Sequence, residues 1–283
     1  MKKLMFLFAA ALMMVACSNE EVAVNDEVQY ITELTANLGG GDTRMAVTHN
    51  PASGLSFAWE NKEVLYIYQA DGASVQYTCY KYDSETGKFK VGSGYEPMVA
   101  GTKYFATNQI DNFTIVDGMP VFNANLNYAE SIESLPLISD VFTADASGTI
   151  VTMHHTVGVV EVPVLLDESS TYTTLTNLGF YVSAGNSSGS FTATPGTPYF
   201  KEATSGNGGR ITWANMGEKV LNKTTATSFF IPMLPGSYTD AGLNYNYETN
   251  SGETSEQRKV SGTFNVVCGK ITKLAEQTLK LID

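Results

Sequence analysis

The sequence predicts an all-β protein made of two successive β-sandwiches of about seven strands each. Turn-forming Gly, Asn, Asp, Ser and Pro recur roughly every eight to fifteen positions. Between them lie short stretches rich in β-branched and aromatic residues, with 15 Tyr and 14 Phe in the chain. Sustained helical periodicity is missing, and only residues 216–223 read as a helical turn. A chain of 283 residues with 43% hydrophobic content has enough apolar side chains for two cores.

The first sixteen residues read as a secretory signal. Lys2 and Lys3 precede an apolar run, residues 4–15, that is too short to span a bilayer comfortably. Met14, Val15 and Ala16 then lead into Cys17, a pattern that resembles a bacterial lipobox, with Met14 where Leu is usual. Cys17 is therefore expected to be the lipidated first residue of the mature protein, held at the outer membrane by acyl chains. Residues 17–27 form an acidic tether, and Glu20 and Glu21 so soon after Cys17 resemble the surface-export signal of Bacteroidetes lipoproteins.

Residues 28–44 come next. Val28, Tyr30, Leu34, Ala36 and Leu38 fall on one face of a period-two pattern and Gln29, Glu33, Thr35 and Asn37 mostly on the other, which predicts a half-buried strand. Gly39, Gly40 and Gly41 free the backbone, and Arg44, the only arginine before Arg210, follows in what should be an exposed segment. A protease could enter there.

Residues 64–68 read as a continuous, fully buried strand. Further strands are expected at 75–82, at 88–91 after the Thr86-Gly87 turn, and at 104–107, with a hairpin around Asp117-Gly118. Residues 129–149 are the least patterned, which places the boundary between an N-terminal unit, 28–148, and a C-terminal unit, 149–283. In residues 150–166 the apolar parity changes from Val151, Met153, His155, Val157 and Val159 to Val160, Val162, Val164 and Leu166. Such a change marks a bulge or a strand that passes between sheets. Strands then read at 175–183, 190–194, 228–233, 243–247, 259–267 and 271–281.

Composition and motifs narrow the function. The net charge of −12 leaves no basic footprint for nucleic acid. His154 and His155 are neighbours in a strand and point to opposite faces, so they cannot share one metal, and His155 reads as a core residue. Cys79 and Cys268 read as two small buried hydrophobes rather than a disulfide, and neither has the close-spaced partners of a metal site. No Gly-x-Ser-x-Gly elbow, activated cysteine or carboxylate pair in a rigid cleft is evident, and the glycine-rich pieces do not open helices. No catalytic residue, cofactor or metal is assigned. Trp59 reads as core, whereas Trp213, among turn residues, is a candidate platform for a sugar ring.

Several segments together resemble one family. Thr43-Arg44, then Trp59-Glu60 leading through Asn61-Lys62-Glu63 into residues 64–68, then MHHTVGVVEVPVLL, FFIPMLPGSY and CGKITKLAEQTLKLI follow in the order of the fimbrillin-like proteins of Bacteroidetes. Asn61-Lys62 stands where that family usually has Gly-Asp, and Met45 follows Arg44 where a small residue or Thr is commoner. The resemblance covers most of residues 28–283. It implies a type V pilin subunit with two tandem transthyretin-like, Greek-key β-sandwich domains, made as a lipoprotein precursor. It further implies cleavage between Arg44 and Met45 by an arginine-specific protease, loss of the first strand, and filling of the groove by a strand from the next subunit's C-terminal region. Here the candidate donor is residues 271–281. The partners implied are other fimbrial subunits, the outer membrane through Cys17 before processing, and host or bacterial surface ligands. An anchor subunit that keeps its lipid and first strand is the alternative within the family, and a glycan-binding surface lipoprotein is the alternative outside it.

Overall fold

The structure, a computed structural model, describes residues 28–38, 48–50, 54–56, 59–61, 63–70, 76–109, 113–116, 119–126, 135–183, 186–203, 211–213 and 219–283. The described residues are all-β, with no helix among them. The helical turn expected at 216–223 is not formed where the chain is described, since Lys219–Val220 pairs as a short strand with Thr174–Leu175.

The first sheet grows from two hairpin-like pairings. Val64–Gln69 runs antiparallel to Tyr77–Asp83, which pairs in turn with Lys88–Val91 across a turn that places Gly87 at φ 68°. Lys103–Thr107 lies antiparallel on the other side of Val64–Gln69. Residues 64–68 are expected to be buried throughout; Leu65, Ile67 and Tyr68 are buried, whereas Val64 and Tyr66 are half-buried. Leu65 and Ile67 face the ring interior, and Tyr68, on the outer face, is covered by stacking on Phe105 at 5.3 Å.

Glu33–Leu38 lies between Lys88–Val91, antiparallel, and Thr149–His155, parallel. Thr149–His155 pairs onward with Leu137–Ser139, and Ile138 meets Thr107, which brings the sheet back to its other side. Seven strands thereby form a barrel-like ring. Its interior is filled by Leu34, Leu65, Tyr80, Phe89, Val151 and Met153, each nearly or wholly excluded from solvent.

The changed parity of residues 150–166 corresponds to a strand that passes between sheets. Thr149–His155 belongs to the ring, Thr156 and Val157 make the crossing, and Gly158–Leu166 enters the next sheet. There it pairs antiparallel with Thr227–Met233 and parallel with Ile271–Lys273 and Gln277–Leu279. A second sheet, ordered Ile211–Trp213, Asn177–Val182, Ala241–Thr249 and Gly252–Val260, shares one apolar cluster with it, including Val162, Ile231, Phe180, Leu243 and Leu279. Residues expected as one strand at 259–267 divide into the end of Gly252–Val260 and a separate Phe264–Val266, with Gly262 at φ 102° between them.

Three strand pairings among the described residues cross the 148/149 boundary expected from sequence. Thr149–His155 lies in the first ring, and Met119–Leu126 pairs with Gly189–Ala193 in a sheet that also holds Phe113–Val116 and Phe200–Ala203. Leu135, Val157, Phe191 and Leu234 form a small cluster of their own.

Candidate functional site

The site of interest is the seat of the first strand. Sequence alternation put Val28 and Tyr30 on the inner face, but both are exposed, at 53% and 61%, and Ile31 is buried instead. The phase slips at Thr32. Tyr30–Ile31 pairs with Met98–Val99, whereas Glu33–Leu38 pairs with Lys88–Val91 and Thr149–His155, so the chain changes neighbours within three residues. The N–H of Val91 donates to the Thr32 carbonyl at 2.9 Å, and that of Ala100 to Gln29 at 2.9 Å, which ties down both sides of the slip.

Beyond Thr32 the alternation holds as expected. Leu34 and Ala36 point inward and are buried, and Leu38 is half-buried against the ring core, while Glu33 and Asn37 face out. Glu33 meets Lys88 in an exposed ion pair, which contributes little in water.

Two side chains hold the backbone of this strand from the sheet. The Tyr80 hydroxyl, buried in the ring, donates to the Ile31 carbonyl and accepts the N–H of Met98 at 3.0 Å. Burial pushes this phenol up to about 12, so it stays a donor. The Trp59 indole Nε1 donates to the Ala36 carbonyl at 2.8 Å while its ring packs edge-on against Phe89 at 5.0 Å. Trp59 is thus a core-packing residue, as its sequence position suggests, with a further role as donor that composition could not reveal. A cavity of about 210 Å³ borders the strand between Lys88 and residues 145–149.

Arg44 and Met45, the expected cleavage site, lie outside the described residues, as do Cys17 and residues 39–41. The candidate donor at 271–281 is docked in its own unit. It divides into Ile271–Lys273 and Gln277–Leu279, both parallel to Gly158–Leu166, and Leu279 and Leu281 are fully buried. The Tyr247 hydroxyl donates to the Ile282 carbonyl at 2.8 Å, and the N–H of Leu281 donates to Ser170 Oγ at 3.0 Å.

The remaining candidates carry no assembled chemistry. Cys79 and Cys268 are both free thiols, pushed up in pKa mainly by burial. His155 is buried and His154 faces the other way, stacked on Tyr199 at 4.1 Å with Asp140 at 3.3 Å from its Nε2. No group of three or more His, Cys, Asp or Glu suited to a metal occurs among the described residues. Trp213 ends a short strand opposite Gly179.

No family model matches the chain, and no curated protein matches it. Solved structures do. A protein of Bacteroides ovatus ascribed to cell adhesion has a similar fold, with a TM-score of 0.59 at 10% identity over 89% of this chain and 93% of that one. Another, from Bacteroides uniformis and also ascribed to cell adhesion, aligns with a TM-score of 0.48 at 14% identity over 88% and 93%. A fimbrial protein of Bacteroides vulgatus aligns with a TM-score of 0.41 at 8% identity over 86% and 95%. The likeness to the Bacteroides ovatus protein is one of fold, at low sequence identity.

Proposed function

We propose that this chain is a structural, non-enzymatic subunit of a cell-surface fimbria. In this reading it is exported as a lipoprotein acylated at Cys17, cut between Arg44 and Met45, and polymerised by strand donation. The observation that carries the reading is the position of Glu33–Leu38, bonded on both sides within the ring and followed directly by the Gly39–Arg44 stretch of the sequence. The cell-adhesion and fimbrial descriptions of the structural neighbours point the same way. The tandem transthyretin-like organisation is part of the proposal, with the ring as the first unit and the sheets around Gly158–Leu166 as the second.

Removing residues 28–44 would leave Lys88–Val91 and Thr149–His155 without a shared neighbour. It would also open the apolar slot now filled by Ile31, Leu34 and Ala36. Each backbone hydrogen bond contributes only about 1 kcal/mol net, but a buried group left unmade costs about 1–3 kcal/mol, so the open groove would take up a complementary strand strongly. A donor drawn from residues 271–281 must first leave Gly158–Leu166, which makes release of that segment part of assembly.

Intact-mass analysis of the protein recovered from cells tests the reading. A polymerised subunit beginning at Met45 is the expected result, and an Arg44→Ala protein should accumulate without joining fibres. Fibres of normal length built from uncut Arg44→Ala protein would overturn it. A start at acylated Cys17 in the assembled fibre would instead identify an anchor subunit.

A further inference from the structure

The open end of the seven-stranded ring holds a second feature, bordered by the Met98–Val99 strand that Tyr30–Ile31 pairs with. A cavity of about 510 Å³ opens there, within the ordinary size range of small-molecule sites, about 300–1,000 Å³. Its apolar floor is Ile67 and Met98, each 1% exposed. Strand alternation places Gln69 and Thr78 on the same inner parity as Ile67, with Ile67 opposite Thr78 and Gln69 opposite Tyr104.

The rim is polar and aromatic. Gln69, Gln76 and Glu96 are exposed at the opening, and Tyr95 leans over it from the 92–97 turn, its ring 6.0 Å from that of Tyr77. The turn itself is fixed by the N–H of Gly92 on the Cys79 carbonyl at 2.7 Å and that of Tyr95 on Gly92 at 3.2 Å. On the opposite wall the Tyr104 hydroxyl accepts the Val99 N–H at 3.0 Å, which holds that ring in place. One group in the wall is unsatisfied: Thr78 Oγ1 is buried and finds no hydrogen-bond partner among the described residues. A buried hydroxyl in that state costs stability, of the order of 1–3 kcal/mol, unless something binds it.

We propose that this mouth binds a neutral sugar residue of a glycan. Amide and carboxylate side chains at a rim pair with ring hydroxyls, tyrosine faces pack on the apolar side of a pyranose, and Thr78 Oγ1 gains the partner it lacks. Anionic ligands are disfavoured, because among the described residues no Lys or Arg lines the cavity and Glu96 does. A purely apolar ligand would leave the buried Thr78 hydroxyl without a partner.

Saturation-transfer NMR on the full chain tests this with the methyl glycosides of glucose, galactose, mannose, fucose and N-acetylglucosamine, and with sialic acid as the anionic control. The expected result is transfer to at least one neutral glycoside and none to sialic acid. Gln76→Ala should weaken that binding about tenfold, the loss of roughly one hydrogen bond to a polar ligand. Thr78→Val should also weaken it while leaving thermal stability equal or higher, since it removes an unpaired hydroxyl; a purely structural role would not separate the two readouts. Trp213→Ala should leave binding unchanged. No transfer to any neutral glycoside, equal transfer to sialic acid, or binding indifferent to both Gln76→Ala and Thr78→Val would overturn the proposal. None of these results depends on cleavage at Arg44.

Discussion

The indole Nε1 of Trp59 donates a 2.8 Å hydrogen bond to the carbonyl of Ala36. The ladder from Lys88–Val91 reaches the first strand only at Glu33 and Leu34, so by Ala36 that side has no strand neighbour and a side chain supplies the donor. Trp59→Phe keeps an aromatic ring against Phe89 but removes the donor. The expected cost is about 1–3 kcal/mol, the penalty for a buried carbonyl left unpaired. Urea unfolding should show a lower midpoint with an unchanged slope. A midpoint equal to the unaltered protein's would mean that water or a neighbour replaces the indole.

Much of this arrangement was legible in the chain, for identifiable reasons. Lys88–Val91 was read within its observed bounds because Thr86-Gly87 fixes the turn before it. A change of apolar parity leaves a bulge or a passage between sheets as its cause, and the chain takes the second, at Thr156 and Val157 rather than at Val159 and Val160 where the pattern changes. Ring closure was not visible. Leu137–Ser139 is buried at every position, so it carries no alternation to find, and its contact with Thr107 is long-range. The slip at Thr32 was hidden too, because Tyr30 and Ile31 are both apolar and either can point inward until the neighbouring strands decide. The sugar-ring candidate drawn from sequence was Trp213, whereas the mouth cavity is assembled from residues 67–104, which no local motif joins.

A half-buried carboxyl and a buried imidazole give the stability pH dependences of opposite sign. Burial raises the Glu63 carboxyl to about 7, opposed by the N–H of Glu60, which donates to its Oε2 at 2.6 Å. The folded chain therefore holds a proton that the unfolded chain gives up near 4.5, so the contribution of Glu63 is fully present below 4.5 and is lost as pH rises through about 7. His155 behaves in reverse: burial first, and His154 second, lower it to about 4 from 6.5. Its contribution is present above 6.5 and is lost as pH falls through about 4. Glu63→Gln should flatten the decline of the urea midpoint between pH 5 and pH 8, about the window set by the raised carboxyl. The His155 ring should show no NMR titration until the pH approaches about 4. A normal imidazole titration near 6.5 would show that His155 is hydrated rather than packed.

Gly158 stands where the chain enters the second sheet, and its lack of a side chain is required there. A Cβ on Gly158 would lie 2.5 Å from Val266 Cγ1 and 2.6 Å from the Val267 carbonyl oxygen. The first contact can turn away, but the second is backbone, held by the N–H of Lys270 on the same carbonyl at 3.1 Å. Gly242 is a useful contrast. Its Cβ would come within 2.3 Å of the Tyr181 ring, yet that ring is half-exposed and can swing outward. Gly158→Ala should therefore destabilise the chain by about 1–3 kcal/mol, the usual range for overpacking, and Gly242→Ala by less. Thermal melts of the two variants would order them, and the reverse order would place the rigid contact at Tyr181. The Gly158 clash also pushes on residues 264–270, which run between Gly252–Val260 and the C-terminal segment paired to Gly158–Leu166. Hydrogen exchange at Ile271–Lys273 should accordingly speed up in Gly158→Ala and stay unchanged in Gly242→Ala, because only the first substitution displaces the backbone that this segment pairs against.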